Sequence, residues 1–160
     1  MGMHYRLLIL YQILYQLYHN GKVLNKTIYI IHKQIAISEG VFMIEREEIF
    51  NYVKGKFYTE PDYPWLKYPD YAVLRHEGGG KWYGLIMNVP RIKLGLTGKG
   101  SVEILNLKCD PELKSILRDQ EGILPAYHMN KEHWITIVLN SSFPKEEINN
   151  LIDLSYDLTK

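Results

Sequence analysis

The chain has 160 residues, enough for one domain with a sizeable core. Its 46% hydrophobic and 23% charged residues are those of an ordinary globular protein, and its one cysteine, Cys109, excludes an internal disulfide and fits a reducing, cytoplasmic setting. The net charge of +1 conceals an asymmetry. Arg6, Lys22, Lys26, Lys33 and the single acid Glu39 precede Met43; removing them from the totals of 19 basic and 18 acidic residues leaves 15 against 17 from Met43 onward. That part lacks the basic surplus of a typical nucleic-acid binder, so any phosphate contact has to come from a local patch.

Residues 1–42 differ from the rest. Leu7–Tyr18 is apolar, but it falls short of the roughly 20 residues that span a bilayer. Gln12 and Gln16 interrupt it and no small-residue cleavage site follows, so neither membrane insertion nor secretion is expected. Thr27–Ile37, rich in β-branched residues, reads as a strand. The segment is either an extra helix and strand packed on the domain or a non-native leader. Glu39-Gly40 can be encoded by a purine-rich stretch resembling a ribosome-binding site, at a suitable distance before Met43. Met43 is therefore expected to be the natural start, and residues 43–160 the domain.

A first helix is expected from about Glu45 to Lys54. Glu45, Glu47 and Glu48 lie in its first turn, Ile49 and Val53 share its buried face, and Gly55 stops it. A loop, Tyr58–Asp70, carries prolines at 61, 64 and 69, with Trp65 and several tyrosines lying over the core. Strands Tyr71–Glu77 and Lys81–Val89 flank the turn Gly78-Gly79-Gly80, and a third, Val102–Lys108, follows a glycine-containing connection. Asp110-Pro111 announces a helix with a favoured cap and a proline at its first position, and Leu113, Ile116 and Leu117 form its buried stripe. Ile123–His128 and His133–Leu139 form a second hairpin around Met129–Glu132. The last helix is Lys145–Leu158, with Ile148, Leu151, Ile152, Ser155 and Leu158 or Thr159 on its core face. The order α-β-β-β-α-β-β-α, with tight hairpins, predicts an α+β two-layer sandwich with an antiparallel sheet.

Motifs for catalysis are weak. His128 and His133 flank a turn, and His76 and Cys109 can converge on them, but there is no CxxC or HExxH run; neither a metal nor a cofactor is expected. Cys109 precedes a helix N-terminus, which favours a thiolate, yet it ends an apolar strand and reads more simply as buried. Leu94–Gly100 lacks the spacing of a phosphate-binding loop, although Gly98-Lys99-Gly100 can form a basic hairpin tip. The candidate binding surface gathers cations, polar groups and rings near strand ends: Arg75, His76, Lys81, Trp82, Lys108, His128, Asn130, Lys131, His133 and Trp134. Simple alternation groups Arg75 with Tyr71 and Val73, groups Lys108 with Asn106 and Ile104, and puts His76, Trp82 and Trp134 on the other parity. Base stacking on rings beside cations is one use of such a surface.

Ala72–His76 (AVLRH), Lys81–Met87 (KWYGLIM), Leu105–Pro111 (LNLKCDP) and Pro125–Ile137 (PAYHMNKEHWITI), in this order and spacing, resemble the MmcQ/YjbR family from about Met43 to the C-terminus. The resemblance implies an α-β(3)-α-β(2)-α fold similar to the secretion-chaperone-like class. It also implies contact with DNA through hairpins acting as a double wing. The Gly78–Gly80 or Met129–Glu132 turn would then meet a duplex, Lys131, Lys81 and Arg75 would reach phosphate, and Asn130 a base edge. The expected function is thus a non-enzymatic DNA-binding protein. The alternatives are a protein- or peptide-interaction module, with an apolar patch on the sheet face or around Tyr63–Tyr68, and a small-molecule binder near His128, His133 and Cys109.

Overall fold

The structure, a computed structural model, describes residues 44–139 and 141–160, all within the compact unit Met43–Lys160. The helix and strand read within residues 1–42 lie outside the described residues.

Helix α1 (Arg46–Phe57) opens where expected, the Glu48 carboxylate accepting from the Glu45 N–H at 3.1 Å, and it buries Ile49 and Val53. It does not stop at Gly55. A Cβ there would meet nothing, so the glycine is tolerated on the solvent side, and the stacking of Phe57 on Tyr156 at 3.8 Å holds the extra turn. Tyr58, left-handed at φ 58°, ends the helix instead, its N–H bonding to the Lys54 carbonyl.

Five strands follow: β1 (Ala72–Arg75), β2 (Trp82–Pro90), β3 (Ser101–Lys108), β4 (Ile123–Pro125) and β5 (Trp134–Val138). Helix α2 (Pro111–Leu117) joins β3 to β4, and α3 (Lys145–Leu158) ends the chain. The sheet order is β1-β2-β3-β5-β4, every neighbouring pair antiparallel. The α-β(3)-α-β(2)-α order and the two-layer architecture are those expected. Among the described residues no helix is long and apolar enough to cross a membrane.

The sheet separates two cores. The helix side collects Ile49 and Val53 of α1, Ile148, Leu151 and Ile152 of α3, and the inward strand residues Leu74, Ile86, Leu105, Leu107, Ile135 and Ile137. The outer side holds Val73, Leu85, Met87, Val89, Val102, Ile104 and Val138, and loop residues Trp65, Tyr71, Leu94, Leu96, Tyr127 and Met129 pack over them. The outer face is therefore covered by loops, so the sheet face expected as an apolar patch is closed. Helix α2 has two turns, and only Leu117 and, in part, Leu113 reach the helix-side core. Ile116, expected in its stripe, is 70% exposed because it lies about 100° round the helix from Leu117.

Two irregularities place the surface residues. Leu74 pairs with Gly84, but Arg75 pairs with Trp82, so Tyr83 is the extra residue of a bulge. Tyr83 turns into the helix-side core, where Thr59 Oγ1 lies 2.5 Å from its hydroxyl. At this point α3 enters the sheet: Ser155 Oγ accepts from the Lys108 N–H at 2.8 Å and donates to the Tyr83 carbonyl at 2.5 Å, standing between the two strands. The second irregularity shortens the last hairpin. Pro125 brings no N–H, and beyond it Tyr127 bonds to side chains rather than to a strand. Its N–H donates to Thr136 Oγ1, its carbonyl accepts from Asn106 Nδ2, both at 2.8 Å, and Thr136 Oγ1 donates to Asn106 Oδ1 at 2.5 Å. Asn106 and Thr136 are fully buried, and this closed network replaces the ladder expected through His128.

Candidate nucleic-acid interface

Antiparallel order brings the β1–β2 turn, the end of β3 and the 126–133 loop to one end of the sheet, and the 91–100 loop to the other. All ten expected surface residues lie at the first end, but they divide between its two faces. Arg75 pairs in register with Trp82 and Lys108 with Trp134, and alternation with Val73, Ile104 and Thr136 puts all four on the outer face. The expected parity is therefore corrected: the bulge moves Trp82 to the side of Arg75, and the β3–β5 register moves Trp134 to the side of Lys108. The Arg75 guanidinium sits 5.8 Å from the Trp82 ring centre and pairs with Asp62 at 2.6 Å. Trp65 meets Trp82 edge-on at 5.5 Å.

His76 leaves this group for the helix side. Its ring lies 4.2 Å from Tyr156 and 5.4 Å from Tyr83, and Nε2 is 2.8 Å from Thr159 Oγ1. Thr159 donates its own proton to the Ser155 carbonyl at 2.8 Å, so the imidazole Nε2–H supplies the hydrogen of that contact. Burial lowers the histidine's pKa, with Lys160 and Lys81 acting the same way, against an opposing hydrogen bond with the Tyr156 backbone and the charge of Asp157. Lys81 itself donates to the Lys160 carbonyl at 3.1 Å.

The 126–133 loop is held from both sides. Asn130 Oδ1 accepts from the Glu132 N–H at 2.8 Å, and Lys114 Nζ of α2 donates to the Lys131 and Glu132 carbonyls at 2.7 and 3.1 Å. The Cys109 N–H bonds to the His133 carbonyl at 2.8 Å. His128, left-handed at φ 56°, packs against Tyr127 and stays exposed, as do Asn130, Lys131 and His133. Asn130 is thus exposed yet already spends its oxygen on the turn.

Cys109 is 1% exposed and burial, with the neighbouring Asp110, pushes its thiol up to about 11; its Sγ–H points to the Asp110 carbonyl. That is the environment of a core side chain, not of an activated nucleophile. His76 is on the helix side and Cys109 in the helix-side core, so neither joins His128 and His133. Among the described residues no three His, Cys, Asp or Glu side chains come together as metal ligands. A shallow depression of about 560 Å³ lies elsewhere, floored by Phe57 and Tyr156 and rimmed by Glu77 and the ion pairs Lys56–Asp153 and Lys160–Asp157.

The opposite end of the sheet holds cations that the list of ten omits. Arg91 and Lys93 sit in the short helical turn Arg91–Leu94, and Lys99 is in the loop beyond. Arg91 ties the loop together: its Nε donates to the Thr97 carbonyl at 2.7 Å, its N–H to the Gly100 carbonyl, and its carbonyl accepts from Leu96. The signal was present in the chain, since no acid occurs between Glu77 and Glu103.

The YjbR family profile matches residues 55–158. The Bacillus subtilis protein YyaQ is 61% identical over 118 residues, 74% of this chain and 100% of that protein. YjbR of Escherichia coli (strain K12) is 43% identical over 53 residues, 32% of this chain and 45% of that one. A crystal structure of a Pseudomonas syringae protein matches with a TM-score of 0.71 at 48% identity, covering 73% of this chain and 100% of that one. The Deinococcus radiodurans protein DR2400, a DUF419 domain, shares the fold, with a TM-score of 0.53 at 24% identity over 72% of this chain and 78% of that one. With the profile matching well over half of the chain and YyaQ aligned along its full length, the chain belongs to the YjbR family.

Proposed function

We propose that the protein is a non-enzymatic DNA-binding protein that meets phosphates through the ends of its hairpins. The observation that carries this reading is the β2–β3 hairpin. From Gly78 to Val102 it bears Lys81, Arg91, Lys93 and Lys99 and no acid, although the chain from Met43 on is slightly acidic. Lys93 and Lys99 are exposed and have no acidic partner among the described residues, and the loop that presents them is internally bonded. Concentrating Arg91, Lys93 and Lys99 on one internally bonded loop gives a local field that the overall charge does not reveal.

Fluorescence anisotropy of a labelled generic duplex tests the reading. Binding at low salt weakens steeply as salt rises, and Lys93→Glu with Lys99→Glu lowers the slope of log K against log salt by about 2. A duplex that shows no binding at low salt, or a double variant indistinguishable from the parent, removes it.

One observation favours a second reading, a protein- or peptide-interaction module. Within the loop after α1, Leu66 is fully exposed and Tyr63 and Tyr68 are nearly half exposed, while Trp65 anchors the loop to the outer core. Leu66→Asp then leaves folding intact and abolishes recovery of a specific partner from native lysate. A lysate that yields no specific partner ends this reading.

A further inference from the structure

The chain's three tryptophans do not share one environment. Trp65 and Trp82 pack on the outer core, touch each other, and one face of Trp82 is taken by Arg75. Trp134 belongs to neither core. Among the described residues no ring stacks on it, no acceptor takes its indole N–H, and it is half-buried at the mouth of the 126–133 loop. Its cross-strand partner is Lys108, whose ammonium has no acidic partner among the described residues; the same holds for the exposed Lys131 three residues upstream of Trp134.

We propose that Trp134, with Lys108 beside it, is a stacking site for an unpaired base of single-stranded nucleic acid. The inference rests on the nucleic-acid reading above and names its partner more narrowly. The exposed part of the Trp134 indole, at a sheet end, accepts a flat ring, and every base offers one. Bases in a duplex are stacked on both faces, so only an unpaired base reaches the indole. Lys108 across the strand pair, with Lys131 three residues upstream in the chain, brings ammonium groups that have no acidic partner among the described residues and that match the phosphates a strand carries and an apolar peptide lacks. The support is prearranged: Lys114 pins the Lys131 and Glu132 carbonyls, and Cys109 pins that of His133, so the residues leading into Trp134 are already ordered before binding.

The test uses the full chain at low salt with an oligothymidylate of about 12 nucleotides, the matched duplex and thymidine monophosphate, read by anisotropy and by tryptophan emission. The oligothymidylate quenches part of the emission. Trp134→Ala, checked for folding by circular dichroism, weakens its binding about 10-fold and removes that quenching, with duplex affinity unchanged. Trp134→Phe, which keeps a ring, retains most of the affinity. Lys108→Gln keeps the quenching and lowers the salt slope by about 1. If both Trp134 variants bind oligothymidylate as the parent does, the inference falls while the proposed function stands. If thymidine monophosphate binds as tightly as the oligomer, the site is one for free nucleotides and the strand assignment falls. If neither the oligomer nor the duplex binds at low salt, both readings fall together.

Discussion

Replacing Ser155 by alanine is the sharpest test of how this sheet is held to its last helix. Ser155 is fully buried, and its hydroxyl serves two strands at once, accepting from Lys108 N–H at 2.8 Å and donating to the Tyr83 carbonyl at 2.5 Å. Alanine fits the same space and favours the helix slightly, by a few tenths of a kcal/mol. Against that, one buried N–H and one buried carbonyl lose their partner, at about 1–3 kcal/mol each. The net expectation is a loss of about 2–5 kcal/mol. In a domain of this size that corresponds to a fall in Tm of very roughly 10–20 °C. Urea unfolding followed by tryptophan fluorescence and far-ultraviolet circular dichroism measures it, with Asn150→Ala, on the exposed face of α3, as the control. A lower midpoint at unchanged slope is the expected result. A loss below about 0.5 kcal/mol would show that β2 and β3 close the gap by bonding directly, and would refute the account of Ser155 as a bridge.

Other outcomes follow from the same geometry. Because burial lowers the pKa of His76 from 6.5, the unfolded chain takes up its proton first on acidification; stability is full above about pH 6.5 and falls as pH drops through the folded-state value. His76→Gln flattens that dependence, and thermal melts between pH 8 and about 5 read it. Thr136→Val strips the Tyr127 N–H and Asn106 Oδ1 of their partner, costing about 2–3 kcal/mol, and hydrogen exchange at the Tyr127 amide speeds up by more than that at Ile137. Gly122→Ala is strongly destabilising, since φ is +89° and the new Cβ would lie 2.1 Å from Ser141 Oγ; a urea midpoint equal to the parent's would contradict this.

Most of the architecture was legible in the sequence because its signals are local. The span Lys145–Leu158 and its buried Ile148, Leu151, Ile152 and Ser155 follow from helical periodicity, and the Asp110-Pro111 start follows from capping chemistry, Asp110 Oδ1 accepting from Leu113 N–H at 2.9 Å. The candidate surface was only partly legible. Its residues share one sheet end as expected, but their faces depend on a bulge at Tyr83 and on the β3–β5 register, which are set by residues far apart in the chain. Gly55 misled for a related reason: a distant ring, Tyr156, holds the turn that a glycine would otherwise end. The hairpin through His128 was overestimated because two buried polar side chains, from β3 and β5, compete for the backbone of Tyr127.

The bulge at Tyr83 also bears on how such a chain can change. Strand alternation makes length, not only composition, a carrier of information: with one residue fewer between Arg75 and Gly84, the β1–β2 hairpin would pair without interruption. Tyr83 would then lie opposite Arg75 on the outer face, its hydroxyl cut off from Thr59, and the indole of Trp82 would swing toward the helices. A single-codon deletion in this segment thus exchanges the sides of Tyr83 and Trp82 at one end of the sheet while leaving nearly every residue identity intact. Insertions and deletions here are therefore a more severe class of change than substitutions at the same positions.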